Sequence, residues 1–250
     1  MTTKSLFMPA GHETDAEGQW ISISDLMSGL MIIFLFIAVV YMLNEQTKQK
    51  QIKAMAVSYQ EMQIDLYQEL KKQFQGYVDQ GLVTIDPKSL AVTFTEPDVL
   101  FGMGSARITP TFKGILDDFF PRYIGVLHSE RFRMHIDEIR IEGHTSSPWK
   151  DLTGDQAYFA NMALSQSRTR AVLRYGLGLI VPESTKSWTR NLLTANGLSS
   201  SKKVLRANCT ITWKRSCEDY KASRRVTFRT KTKAEQRIVQ IIEGLQQDVL

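Results

Sequence analysis

Residues 20–43 read WISISDLMSGLMIIFLFIAVVYML, a long apolar run with one acidic residue, Asp25, near its entrance. From Ile21 to Leu43 there is no Lys, Arg or Glu, and about 23 helical residues rise roughly 34 Å, enough to cross a bilayer. A cleaved signal has a basic start, a shorter apolar core and a small-residue cleavage site. This run is longer and ends in VVYMLNEQ, so it reads as an uncleaved single-pass anchor. Trp20 and Tyr41 stand near its ends, where amphipathic aromatic rings favour the interface. A carboxylate at the centre of a membrane helix costs about 2.5 to 3.5 kcal/mol. Asp25 therefore admits two readings: a first-turn cap assisted by Ser22 or Ser24, or a group that faces a partner protein and reversibly binds an ion. Ser28 and Gly29, one turn later, would let another helix approach closely.

The rest of the chain does not look like membrane. Its 250 residues are 43% hydrophobic and 23% charged, which excludes a disordered chain or a multispan protein and leaves room for one anchored domain. Residues 1–19 read as a flexible tail, 20–43 as the transmembrane helix and 44–80 as a helical linker or dimerisation segment. Within the linker Ile52, Met55, Tyr59, Met62 and Leu66 recur at alternating spacings of three and four. That pattern suits a short coiled coil, or equally a helix laying its stripe on its own domain. Residues 81–231 alternate strand and helix signals. LVTID, LAVTF, IDEIRIEGH, KVLRANCTITW and SRRVTFRT read as strands. TPTFKGILDDFFPRYIGVL reads as a helix that Pro121 should kink or end. QAYFANMALSQSRTRAVLRYGLGL is a strong helix, SWTRNLLTANG a shorter one stopped by Gly197, and 232–250 an amphipathic helix bearing Ile238, Ile241, Ile242 and Leu245. The fold class is α+β.

Chemistry-bearing patterns are few. No H-E-x-x-H, G-x-S-x-G, Walker or G-x-G-x-x-G pattern is present. His144 stands at no zinc spacing with His12, His128, His135 or the cysteines, so it reads as structural, and no enzyme activity, metal or cofactor is expected. From Lys186 to Lys233 thirteen Lys and Arg face only Glu218 and Asp219. Without a nucleic-acid module this basic stretch reads as a solvated surface, and no direct nucleic-acid partner is expected. Cys209 and Cys217, with seven residues between them in a polar stretch, leave open a disulfide of an oxidising compartment or two free thiols. On a helix Asn161, Ser165 and Arg168 share one face, with Leu164 beside them. An amide, a hydroxyl and a guanidinium fork together suit a carboxylate, whereas the bland alternative is a solvated polar face.

Two resemblances meet in this chain. WISISDLMSGLMIIFLFIAVVYM resembles the transmembrane helix of the MotB family, and VLFGMGSARITPTFKGILDDF, IRIEGHTSS, NMALSQSRTRAVLRYGL and SRRVTFRT resemble four blocks of the OmpA-like peptidoglycan-binding domain, in family order. The resemblance implies an α/β sandwich and a stator-type homodimer inside a ring of a multispan MotA-like partner in the inner membrane. Asp25 would carry H+ or Na+, the N-terminus would be cytoplasmic and the C-terminal domain would grip periplasmic peptidoglycan. This reverses the topology that Lys48, Lys50 and Lys53 suggest by the positive-inside rule. It also makes a Cys209–Cys217 disulfide the expectation. Arg168 matches the family arginine that binds the stem-peptide carboxylate, while Asn161, Leu164, Thr145 and Arg225 match other positions of the binding pattern. Ser146 departs from it, standing where the family usually has Asp, and Ser223 replaces the common Asn. The Ile23-Ser24 pair before Asp25 and the short helical linker are most similar to the ZorB family, with a ZorA-like partner, of Zorya anti-phage systems. A flagellar stator subunit and a non-conducting wall anchor are the alternatives.

Overall fold

The computed structural model describes residues 14–95, 97–207, 209 and 217–233. The first thirteen residues of the expected tail, the expected C-terminal helix beyond Lys233 and the end of the expected KVLRANCTITW strand lie outside the described residues. The chain divides between Met55 and Ala56 into two compact units.

Helix α1 (Thr14–Gln73) holds the described residues of the first unit and the first residues of the second. Its apolar run is exposed all round, with Leu26 at 74% and Phe36 at 69%. Among the described residues this is the one helix long and apolar enough to cross a membrane. In the second unit the helix turns one face inward: Leu66 and Leu70, with Phe74 just beyond its end, are completely buried in the domain core. Met62, from the stripe read as a coiled-coil seam, packs against the same core while Met55 is exposed. Residues 62–74 of the expected linker are thus part of the domain.

The domain is a five-stranded sheet in the order β1 (Val83–Ile85), β2 (Ala91–Phe94), β5 (Arg225–Thr232), β3 (Ile136–His144), β4 (Leu193–Gly197). Every neighbouring pair is antiparallel except β3 and β4, which run parallel. The helices are α2 (Gln75–Asp79), α3 (Pro97–Leu100), α4 (Pro110–His128), α5 (Gly154–Gly178), α6 (Glu183–Leu192) and α7 (Tyr220–Ser223). Helix α4 starts where Thr109 accepts the Phe112 N–H and Pro110 occupies the first turn. It runs on through Pro121 to His128. The carbonyl that Pro121 leaves without its helical donor is that of Asp117, on the exposed side.

One sheet face is apolar. Phe119 of α4 lies 4.7 Å from Phe74, 4.9 Å from Phe94 of β2 and 5.1 Å from Phe228 of β5, ring centre to ring centre. The Tyr123 hydroxyl pairs with Thr230 at 2.7 Å, and burial pushes its pKa well up. The other face is a charge lattice. Arg140 donates to Glu138 at 2.7 and 3.0 Å, Lys231 reaches Glu138 at 3.4 Å, and Arg229 Nε donates to Glu142 at 3.0 Å. The Arg140 hydrogen bonds bring the Glu138 carboxyl down to about 2.

The expected helix through LTANG ends at Leu192, and residues 193–197 form edge strand β4 instead. Here α5 presses on the sheet: a Cβ at Gly197 would collide with the Gln166 backbone, and one at Gly143 would meet Thr169 at 2.6 Å. Only glycine admits that approach, and it fixes the face α5 shows to the loops above.

Candidate functional site

Three side chains of α5, at i, i+4 and i+7, each hold a different loop. Asn161 Nδ2 donates to the Ser147 carbonyl at 3.3 Å. Ser165 Oγ donates to the Met162 carbonyl and accepts the Ser199 N–H at 3.1 Å. Arg168 Nε donates to the Ser105 carbonyl at 2.9 Å and Nη2 to the Gly102 carbonyl at 3.2 Å. The guanidinium lies 4.9 Å from the Phe101 ring centre, a favourable cation–π position.

Between these loops is a cleft of about 280 Å³ lined by Thr145, Ser146, Asn161, Leu164 and Arg168, with Phe101, Met103, Trp149, Lys150 and Arg224 among its other walls. The structure thus gathers five of the residues singled out in the sequence. It leaves two others elsewhere. Ser165 is fully buried as a pin between helix and turn. Arg225 donates both terminal nitrogens to the Lys202 carbonyl at 3.1 Å and also reaches the Ser223 carbonyl. Its neighbour Arg224, in the bend before β5, lines the cleft instead.

The electrostatics follow from that lining. Lys150, Arg168 and Arg224 contribute positive charge, and among the described residues no carboxylate lines the cleft. Burial, with help from the charge of Arg224, brings the Arg168 guanidinium down to about 10, so it is still protonated at neutral pH but poorly solvated. Arg168 Nη1 makes no hydrogen bond among the described residues. The Thr145 hydroxyl is buried and also unpartnered there. Two unused donors beside a desolvated cation form a receptor for an anionic oxygen, most naturally a carboxylate.

The loop bearing Ser146 is fixed from beneath. Glu218, only 1% exposed, accepts the Ser147 N–H at 3.0 Å and the Ser147 hydroxyl. Cys217 beside it is joined by a disulfide to Cys209, and the Arg206 N–H donates to the Cys217 carbonyl at 2.9 Å. Asp219 caps α7 through the Lys221 and Ala222 N–H groups. The two acids in the basic stretch therefore both organise loops. Their isolation among thirteen cations was the one signal in the sequence that pointed to them. His144, under the cleft, is buried 3.6 Å from Glu142, and burial lowers its pKa. Asp25 is exposed eleven residues into α1, whose first residue is Thr14, so it is not a first-turn cap.

Comparison with known proteins adds the family. No family model matches the chain. Among solved structures, a MotB-like protein from Desulfovibrio vulgaris superimposes with a TM-score of 0.45 at 20% identity, covering 74% of this chain and 94% of that one. The cell wall anchor of the type VI secretion system from Pseudomonas aeruginosa gives 0.41 at 20% identity, with 65% and 96% covered. The periplasmic domain of Helicobacter pylori MotB gives 0.42 at 11% identity, with 65% and 89% covered. In sequence, the Zorya protein ZorB of Escherichia coli strain Crooks is 44% identical over 225 residues, which span 90% of this chain and 92% of that protein. An identity of that size across nearly both whole chains makes this protein a member of the ZorB family.

Proposed function

We propose that this chain is the wall-anchored, ion-conducting subunit of a Zorya-type motor in anti-phage defence. The observation that carries the anchoring role is the cleft: among the described residues, a half-buried Arg168 whose Nη1 has no hydrogen bond, flanked by Arg224 and the Thr145 hydroxyl, with no carboxylate in the lining. A stem-peptide carboxylate of peptidoglycan fits it. Arg168 would take the carboxylate, Thr145 and Ser146 would donate hydroxyls, Leu164 and Phe101 would pack its aliphatic part, and Asn161 would hold the loop. With Ser146 where the family pattern has an acid, the stem amine finds no counter-charge, so recognition rests on the carboxylate alone.

The ion-conducting role rests on Asp25. A carboxylate inside an otherwise uncharged apolar helix is expensive to keep in lipid, and family membership supplies a reason to keep it. In this reading two copies pass through a ring of a MotA/ZorA-like partner in the inner membrane. The N-terminus is cytoplasmic and the domain periplasmic, where the Cys209–Cys217 disulfide is at home. Asp25 binds and releases H+ or Na+ at the partner interface. Each charge crossing 100 mV yields about 2.3 kcal/mol.

The anchoring test is pelleting of the full-length detergent-solubilised chain with purified peptidoglycan sacculi. Arg168→Ala removes a charge-assisted hydrogen bond of about 1.5–3 kcal/mol, so binding should weaken roughly ten- to hundredfold. An Arg168→Ala protein that pellets like the wild type would remove the cleft from wall binding.

A further inference from the structure

A larger groove lies on the other side of the wall that bounds the cleft. It measures about 720 Å³ and is lined by Arg107, Lys113, Arg170 and Arg174, with Tyr175 and Ile108 among its uncharged walls. No acid lines it. Asp117 accepts the Tyr175 hydroxyl at 2.6 Å, while Lys113 Nζ sits 5.6 Å from the Tyr175 ring centre. Among the described residues Arg107, Arg170 and Arg174 make no ion pair and no side-chain hydrogen bond.

Three exposed arginines and a lysine in one groove reinforce one another's potential over roughly a Debye length of 8–10 Å. Among the described residues no acid lines the groove with them, so it suits a ligand carrying several negative charges. Its position selects which one. The segment from Phe101 to Ile108 is a common partition: Phe101, Met103 and Gly104 line the cleft, and Ala106, Arg107 and Ile108 line the groove. Helix α5 is shared in the same way, with Leu164 and Arg168 on the cleft and Ser167, Arg170 and Arg174 on the groove. Arg168 itself ties helix to partition through the Ser105 and Gly102 carbonyls.

We propose that the groove of Arg107, Lys113, Arg170 and Arg174 is a second wall-binding subsite, taking further carboxylates of the peptidoglycan held at the cleft. The inference rests on the anchoring reading above. It makes the domain a two-point grip, one point specific and desolvated, the other electrostatic and tolerant of where the next carboxylates fall. A polymer engages both points, whereas a single stem fills only the cleft.

The experiment compares the full-length wild type, Arg168→Ala and the triple variant Arg107→Gln, Arg170→Gln, Arg174→Gln, pelleted with sacculi over a range of salt. A soluble muropeptide carrying one stem is titrated in parallel. The substituted groove residues are exposed, so the melting temperature should not move. Each exposed charge contributes modestly and is screened by salt, so sacculus binding by the triple variant should fall about tenfold and lose much of its salt dependence. Muropeptide affinity should stay at the wild-type value. Sacculus binding equal to wild type overturns the proposal, as does an equal loss for sacculi and muropeptide, which would put the arginines in the cleft's own site. A wild-type protein that does not pellet at all removes the anchoring reading and this subsite together, an outcome distinct from failure of the groove alone.

Discussion

The run 26–43 and the stripe Leu66, Leu70 and Phe74 are both apolar and belong to or adjoin the same helix, yet they meet opposite surroundings. Leu26 and Phe36 are 74% and 69% exposed, whereas Leu66, Leu70 and Phe74 are at 0%. The difference lies in the pattern. Positions 66, 70 and 74 recur every four residues among Gln, Glu and Lys, which makes one stripe for one core. Residues 26–43 are apolar on every side, so no single packed face can cover them, and lipid or a partner must. Hydrophobicity alone does not separate a membrane segment from a core segment. Its angular distribution does.

Substitution breaks or sharpens that contrast. Leu70→Ala should cost about 2–5 kcal/mol of domain stability through the lost burial and the cavity it leaves, read as a large drop in melting temperature. Glu218→Ala should come next. It strands the Ser147 N–H and hydroxyl in a buried place, at about 1–3 kcal/mol, and should also weaken sacculus binding because the Ser146 loop loses its support. Acid should erode only the domain's side of the contrast. The Arg140 hydrogen bonds bring Glu138 from 4.5 to about 2. A carboxylate lowered on folding stabilises above its unfolded value and loses that contribution as pH falls towards the folded one. Domain stability should therefore decline between 4.5 and about 2, and Glu138→Gln should flatten that part of the curve. Leu35→Ala, on the exposed apolar run, should leave domain melting unchanged to within about 0.5 kcal/mol. A large shift there would mean the two stretches are not independent.

Much of the molecule is legible in the sequence, and the gaps have physical causes. The strands at LVTID, LAVTF, IDEIRIEGH and SRRVTFRT and the two long helices announce themselves by period. LTANG does not, because it has no alternation. It is a strand only because β3 offers it a parallel edge and Gly197 lets α5 sit on it. Pro121 misleads because its cost depends on whether the freed carbonyl meets water, which is a tertiary fact. The cleft residues on α5 are readable from spacing, and the HTSS turn from its resemblance to a block of the OmpA-like domain. Arg224 is not: which of two adjacent arginines faces the cleft is settled by where β5 begins, and a shift of one residue exchanges them. Phe101 and Met103 are not readable either, because FGMGSA carries neither a strand alternation nor a helical period, and only the fold makes it one wall of the cleft.

Ion conduction through Asp25 can be tested in cells carrying the complete gene set. Protection against phage is compared between wild type and Asp25→Asn, with membrane level and partner assembly matched. Asn keeps the size and polarity of the side chain but cannot carry a proton or pair with a cation. Ion conduction through Asp25 predicts that protection is lost. Undiminished protection by Asp25→Asn would contradict it and leave the chain a wall anchor without a motor.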